Sequence, residues 1–187
     1  MKIALTQRVL YHKQRAYDSL EHGWYNLLQH HTLTFIPNFP NQDFIQIADT
    51  HDALIITGGD DSSIRRATEF KLATAMMNHR KLILGVCHGA FTLLDALGGI
   101  ITPDPNHMDC HHPILYQDES INVNSYHSQV ISKLHTSGTG LAYDETGNCE
   151  AWIDDNIAGI AWHPERGDTS WLPSEILSTF WLQRFVA

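Results

Sequence analysis

Between Lys81 and Cys87 the chain reads Leu-Ile-Leu-Gly-Val, a run without one polar side chain. A strand that faces water on one side alternates apolar with polar residues; a strand without that alternation is buried on both faces. Double burial needs a layer of other structure above and below, and short runs of this kind separated by helical patterns supply it. Lys2–Thr6, Leu33–Pro37 and Ala53–Thr57 read as strands, and Lys81–Val86 as a fourth. Tyr17, Leu20, Trp24, Leu27 and Leu28 recur at helical spacing between the first two, and Phe70, Ala73, Met76 and Met77 between the last two. Strand-helix alternation predicts a parallel sheet with right-handed crossovers and helices on both faces.

The second half changes character. Ile114–Gln117, Ile121–Tyr126, Thr139–Asp144, Cys149–Asp154 and Ile157–His163 are short strand patterns separated by turn signals such as Asp118-Glu119, Thr146-Gly147-Asn148 and Asp155-Asn156. They read as antiparallel hairpins added to the parallel core. A closing helix is expected from Ser174 to Phe185, with Ser174 as N-cap and Glu175 in its first turn. At 187 residues the expectation is one α/β domain over 1–187.

Composition narrows the function. Twelve Lys and Arg against 21 Asp and Glu give a formal charge of −9, which argues against a nucleic-acid protein held by a basic surface. The longest apolar runs are too short for a membrane helix, and Gln7 and Arg8 interrupt the N-terminus too early for a signal-peptide core. Cys87, Cys110 and Cys149 are too few and too scattered for a disulfide framework. A reducing, cytoplasmic setting is expected, in which a lone thiol can be reactive.

In open α/β sheets the active site forms beyond the carboxyl ends of the strands. The third strand runs into Thr57-Gly58-Gly59-Asp60-Asp61, the fourth into Cys87-His88-Gly89-Ala90, and the last pattern into Trp162-His163-Pro164-Glu165. A cysteine between Gly85 and Gly89, joining a buried strand to the helix Ala90–Leu97, has the layout of a nucleophile elbow. The helix N-terminus lowers the thiol pKa and offers free N–H groups to an oxyanion. A thiolate nucleophile needs a base, and the base an orienting partner. His163-Pro164-Glu165 supplies both, because extended backbone places residues i and i+2 on one side and Pro164 stiffens the pair.

Cys87 within Gly-Val-Cys-His-Gly, followed near the C-terminus by Trp-His-Pro-Glu, resembles the class I glutamine amidotransferase-like superfamily. Within it the sequence is most similar to the gamma-glutamyl-gamma-aminobutyrate hydrolase group. The likeness extends through Leu54–Asp60, Thr68-Glu69, Leu97-Gly98-Gly99, Val123–Gln129 and Glu150-Ala151. It implies a flavodoxin-like domain in which Cys87, His163 and Glu165 form a triad that cleaves gamma-glutamyl amides through a glutamyl thioester. It further implies an oxyanion hole from backbone N–H groups near Gly59 and at His88. A pocket for the glutamyl amino and carboxylate groups would be lined by Ser125, Tyr126 and His127. The family usually carries Gln four residues after the cysteine, where this chain has Phe91. The short stretch from Gly59 to Glu69 and the Thr6-Gln7-Arg8 segment also resemble gamma-glutamyl-CDP-amidate hydrolases. The alternative is a glutaminase subunit that delivers ammonia to a separate synthetase; a homodimer is equally compatible.

Arg8, Arg65 and Arg66 are candidates to grip an anionic part of the substrate, since guanidinium suits carboxylate and phosphate. No cofactor is expected. His107-Met108-Asp109-Cys110-His111-His112 holds four histidine or cysteine candidates for a metal, but structural zinc patterns bring ligands from two separated pairs. The expectation here is no metal and a solvated loop at the pocket edge.

Overall fold

The computed structural model describes residues 1–167 and 171–179. Among these residues thirteen strands and five helices follow in chain order. They are β1 (Lys2–Thr6), β2 (Arg8–His12), β3 (Arg15–Ser19), α1 (Gly23–Leu27), β4 (Thr32–Ile36), α2 (Phe44–Thr50), β5 (Ala53–Ile56), α3 (Ser63–Asn78), β6 (Leu82–Val86), α4 (His88–Ala96), β7 (Ile100–Pro103), β8 (Cys110–Tyr116), β9 (Glu119–Ser125), β10 (Gln129–Lys133), β11 (Thr139–Asp144), β12 (Cys149–Asp154), β13 (Ile157–Ile160) and α5 (Ser174–Thr179). Single 3₁₀ turns cover Pro105–His107 and Pro164–Arg166.

The main sheet runs β4-β1-β5-β6-β13-β12-β11-β8-β9. Its first five strands are parallel. Counted along the chain without the β2–β3 hairpin, their order is 2-1-3-4-5, the flavodoxin order. From β13 onward the pairings are antiparallel, and β10 pairs with both β12 and β7. The fold is therefore the expected flavodoxin-like parallel core carrying antiparallel strands from the second half.

Alternate residues of each parallel strand feed two cores. Ile3, Leu5, Ala53, Ile55, Leu84, Val86, Ala158 and Ile160 pack with Trp24 and Leu28 of the α1 region and with Trp162 and Ile176. Ala4, Leu54, Ile56, Ile83 and Ile157 pack on the other face against Phe44, Leu72, Met76, Phe91 and Leu94 of α2, α3 and α4. Double burial of β6 thus has the origin its composition implied.

Several expectations are corrected. The segment around Tyr17 is not helical: Arg15–Ser19 pairs antiparallel with Arg8–His12, across a turn whose Lys13 and Gln14 both have positive φ. Tyr11 and Tyr17 stand exposed on this hairpin, so the helical spacing there marked no buried stripe, and α1 is only the stretch Gly23–Leu27. In α3 the buried stripe is turned from the expected one. Phe70 is exposed, whereas Leu72, Ala73 and Met76 are buried with Arg65, Thr68 and Glu69. The last pattern ends as a strand at Ile160, before His163. The closing helix is described for Ser174–Thr179; its expected continuation to Phe185, with Trp181, lies outside the described residues.

Candidate active site

The turn from β6 into α4 is tight because both flanking residues lack a side chain. A Cβ on Gly85 would lie 2.5 Å from the Gly89 carbonyl group, and one on Gly89 would lie 2.1 Å from the Ile56 carbonyl oxygen. Between them Cys87 takes φ 50° and ψ −109°, a conformation rarely tolerated outside glycine and typical of strained functional turns. Its N–H is held by the Ile160 carbonyl at 2.8 Å. The side chain is buried.

His163 reaches the same point from beyond β13. Its Nδ1 is 2.7 Å from Glu165 Oε1, and both side chains are buried. Asn124 of β9 clamps the histidine backbone from both sides: its Oδ1 accepts from the His163 N–H at 2.9 Å and its Nδ2 donates to the His163 carbonyl at 3.0 Å. The ring lies so close to the loop after β5 that a Cβ on Gly58 would be 2.3 Å from His163 Cε1. The glycine there is a steric requirement of this approach.

Burial alone would raise the Cys87 thiol pKa. A hydrogen bond to His163 and its charge, the charge of His127, and the His88 backbone N–H outweigh that and bring it below the ordinary value. Burial would lower the His163 pKa, but hydrogen bonds to Cys87 and Glu165 push it up to about 9. The two groups favour a thiolate–imidazolium pair.

Arg65 does not face the cleft. Its side chain is completely buried and paired with the equally buried Glu69 at 2.8 Å. Its remaining N–H groups donate to the carbonyls of Thr57, Gly58 and Asp60. Glu69 also accepts from the Thr6 hydroxyl at 2.8 Å and meets His88 Nε2 at 2.9 Å. The ligand-gripping role expected of Arg65 is therefore corrected to one of holding the Gly58-Gly59 loop. Arg66 is exposed and paired with Asp61.

Arg8 remains at the mouth, bound to Glu21 at 2.6 Å. The sequence reading missed its counterpart, Arg166, whose Nε is 3.1 Å from Glu21 and whose guanidinium carbon sits 4.2 Å above the Tyr126 ring. Its position next to Glu165 was the available signal. Tyr126 in turn contacts the His163 ring edge-on at 5.6 Å. Of the Ser125–His127 segment only Tyr126 is exposed. Ser125 and His127 are buried and turn inward, Ser125 Oγ donating to the His107 carbonyl at 2.6 Å.

The loop before β8 is only partly the solvated edge expected of it. Met108, Asp109 and His111 are exposed, but His107 is buried and His112 half-buried. Both meet His127 and Glu150 inside the protein, with ligand atoms of all four within 4.8 Å of one another. Phe91 packs edge-on against His127 at 5.3 Å.

The parallel core thus carries a strained cysteine at a strand-helix elbow and a buried His–carboxylate pair beyond the neighbouring strand. The glutamine amidotransferase class-I family model matches residues 16–181, and the chain belongs to that family. It is 28% identical over 182 residues to the gamma-glutamyl-CDP-amidate hydrolase of Campylobacter jejuni, spanning 89% of this chain and 90% of that one. It is 26% identical over 176 residues to the glutamine amidotransferase-like protein YvdE of Lactococcus lactis, spanning 72% and 75%. The solved structure of a GMP synthase subunit from Thermoplasma acidophilum superposes with TM-score 0.73 at 17% identity, over 97% of this chain and 91% of that one. A glutamine amidotransferase from Thermotoga maritima gives 0.69 at 11%, over 98% and 81%. No helix among the described residues is long and apolar enough to cross a membrane.

Proposed function

We propose that this protein hydrolyses gamma-glutamyl amide bonds with Cys87 as nucleophile, His163 as proton carrier and Glu165 as the group that orients and charges it. The observation that carries the reading is the strained, buried Cys87 elbow together with a buried histidine that holds Glu165 at 2.7 Å and whose charge lowers the Cys87 thiol pKa. The Cys87 thiolate attacks the gamma-carbonyl carbon, and the carbonyl electrons move to oxygen, stabilised by the His88 backbone N–H and one near Gly59. When the oxyanion collapses the C–N bond breaks, and the nitrogen takes the proton held by His163. Neutral His163 then removes a proton from water, hydroxide attacks the thioester, and glutamate leaves as the sulfur is released.

The leaving group is proposed to be anionic. Arg8 and Arg166 flank the mouth, and together they exceed the charge of the single Glu21 between them. The name of the Campylobacter jejuni relative supports a nucleoside-diphosphate amidate as the compound to try first. The direct test is glutamate release from gamma-glutamyl amides by the wild-type chain. No release from any such amide, with the protein folded, defeats the proposal.

A further inference from the structure

Against the expectation of no metal, we propose that His107, His112, His127 and Glu150 form a closed zinc site beside the cysteine pocket. The side chains come from three separate parts of the chain: the 3₁₀ turn and start of β8, the segment after β9, and β12. Glu150 is completely buried, yet neither of its carboxylate oxygens has a hydrogen-bond partner. His107 Nδ1 and His112 Nε2 are likewise buried without a partner. A buried carboxylate left without hydrogen bonds is costly, and four inward-facing atoms in that state are what a cation would satisfy.

The spacing fits an ion and not a hydrogen bond. His107 Nδ1 is 3.6 Å from Glu150 Oε1; His112 Nε2 and His127 Nε2 are 3.9 and 3.8 Å from Glu150 Oε2. Hydrogen bonds to carboxylate are about 2.7–2.9 Å. Ligands bound to tetrahedral zinc at their usual lengths stand about 3.3–3.5 Å apart, so the three imidazole–carboxylate separations would contract on binding.

Each imidazole is also held by its outer nitrogen. His107 Nε2 faces Asp144 Oδ2 at 3.3 Å. His112 Nδ1 contacts the Pro113 carbonyl at 3.2 Å, and His127 Nδ1 the Gln129 carbonyl at 2.7 Å. Outer N–H groups bound to carboxylate or carbonyl leave the inner lone pairs free and fix the rings, as in zinc proteins. His127 Nε2 has a neighbour in Ser125 Oγ at 3.0 Å, but that hydroxyl has a shorter acceptor in the His107 carbonyl. A cleft of about 160 Å³ lined by His107, His112, Asp144 and Thr146 reaches two of the four side chains from outside. Three imidazoles and one carboxylate suit zinc, and four protein ligands mark a structural centre. It would tie the wall that carries Tyr126 to β8 and β12.

The test uses untagged full-length protein incubated with zinc chloride and desalted. About one zinc per chain is expected by elemental analysis. Glu150→Gln and His112→Ala should drop below about a tenth of that, while His111→Ala and His163→Ala keep it. Stripping the wild type with a chelator should lower its thermal midpoint by several degrees, with recovery on adding zinc, which requires no variant to fold. Cobalt in place of zinc should give the visible bands of a tetrahedral site without a thiolate charge-transfer band. Retention of less than about a fifth of an equivalent by the wild type, a thiolate band from binding at Cys87, or loss of metal in His163→Ala in place of Glu150→Gln would overturn the site. These readouts do not depend on turnover, so they stand or fall apart from the proposed hydrolase activity.

Discussion

The histidine–carboxylate assembly at the elbow and the one beneath Tyr126 are both buried, and they are built differently. At the elbow, one imidazole meets one carboxylate at 2.7 Å, with Cys87 on its other side. Beneath Tyr126, three imidazoles surround one carboxylate at 3.6–3.9 Å, and their inner atoms make no contact of hydrogen-bond length with it. A contact at 2.7 Å shares a proton and raises the basicity of the ring, which is what a proton carrier needs. Separations near 3.8 Å leave lone pairs pointing at a common centre, which is what an ion needs. In the two proposals above the same residue types serve opposite ends, and distance is what separates them.

The sharpest way to break this contrast is to remove the group that the first assembly serves. Cys87→Ala should abolish glutamate release from a gamma-glutamyl anilide, a loss of at least ~10³-fold, with circular dichroism and zinc content unchanged. Turnover near the wild-type rate would remove the nucleophile from the mechanism.

Within the assembly the two partners should be unequal. His163→Ala deletes the proton carrier and should cost about 10³- to 10⁴-fold in kcat/KM, whereas Glu165→Gln keeps the shape and should cost about 10- to 100-fold. The pH profile separates the roles. The Cys87 pKa is lowered and that of His163 raised to about 9, so the active ion pair fills as pH rises past the lower apparent pKa and is lost as pH rises past the higher one. Glu165→Gln withdraws a charge that favours the imidazolium, so the alkaline limb should move to lower pH. A glutamine variant with an unmoved alkaline limb, or one more damaged than the alanine variant, would reverse the assignment.

A third buried ionic group, Arg65 with Glu69, tests whether burial by itself means function. Arg65→Met should leave the buried Glu69 with only His88 and Thr6 as partners and cost about 3 kcal/mol of stability by urea denaturation. Burial raises the Glu69 pKa, but His88 and Arg65 more than reverse this and hold it below its ordinary value. Its stabilising contribution is therefore present above the unfolded-state pKa and fades as pH falls through the folded-state value. The deficit of Arg65→Met should accordingly be larger at neutral pH than in acid. A near-neutral effect on stability with a large rise in KM would return Arg65 to the substrate.

These three sites were not equally legible in the sequence. The elbow was, because glycine on both sides of a cysteine at the end of an apolar strand is a local pattern, and His163-Pro164-Glu165 keeps base and partner within three residues. The parallel core was legible for the same reason, since Leu82–Val86 carries its double burial in its own composition. The four-residue cluster was not: His107 and His112 are near neighbours, but His127 and Glu150 join them only through the antiparallel pairings β8–β9, β8–β11 and β11–β12. Arg65 read as a candidate grip for an anionic substrate group, and only tertiary contact shows its carbonyl partners. The β2–β3 hairpin failed as a reading because Leu10, Tyr11 and Tyr17 are exposed, and spacing without burial carries no fold information.

The smallest expected effect concerns what the elbow accepts. Phe91 stands where the family usually has Gln, and an aromatic ring packed against His127 offers no hydrogen bond to a glutamyl group. Free glutamine has a leaving group too small to compensate. A larger conjugate can spend remote contacts on the transition state, and Arg8 and Arg166 at the mouth can make those contacts to an anion by charge-assisted hydrogen bonds. Glutamine should therefore have a kcat/KM at least ~10-fold below that of the best anionic gamma-glutamyl amide, a gap of about 1.4 kcal/mol. The measurement is a panel with neutral, carboxylate and phosphate-bearing leaving groups, run on wild type and on Arg166→Gln. The variant should narrow the gap by raising KM for the anionic members while leaving glutamine almost unchanged. If glutamine instead matches or beats every conjugate, the stand-alone hydrolase reading fails, and a glutaminase subunit serving a synthetase becomes the better account of the same elbow.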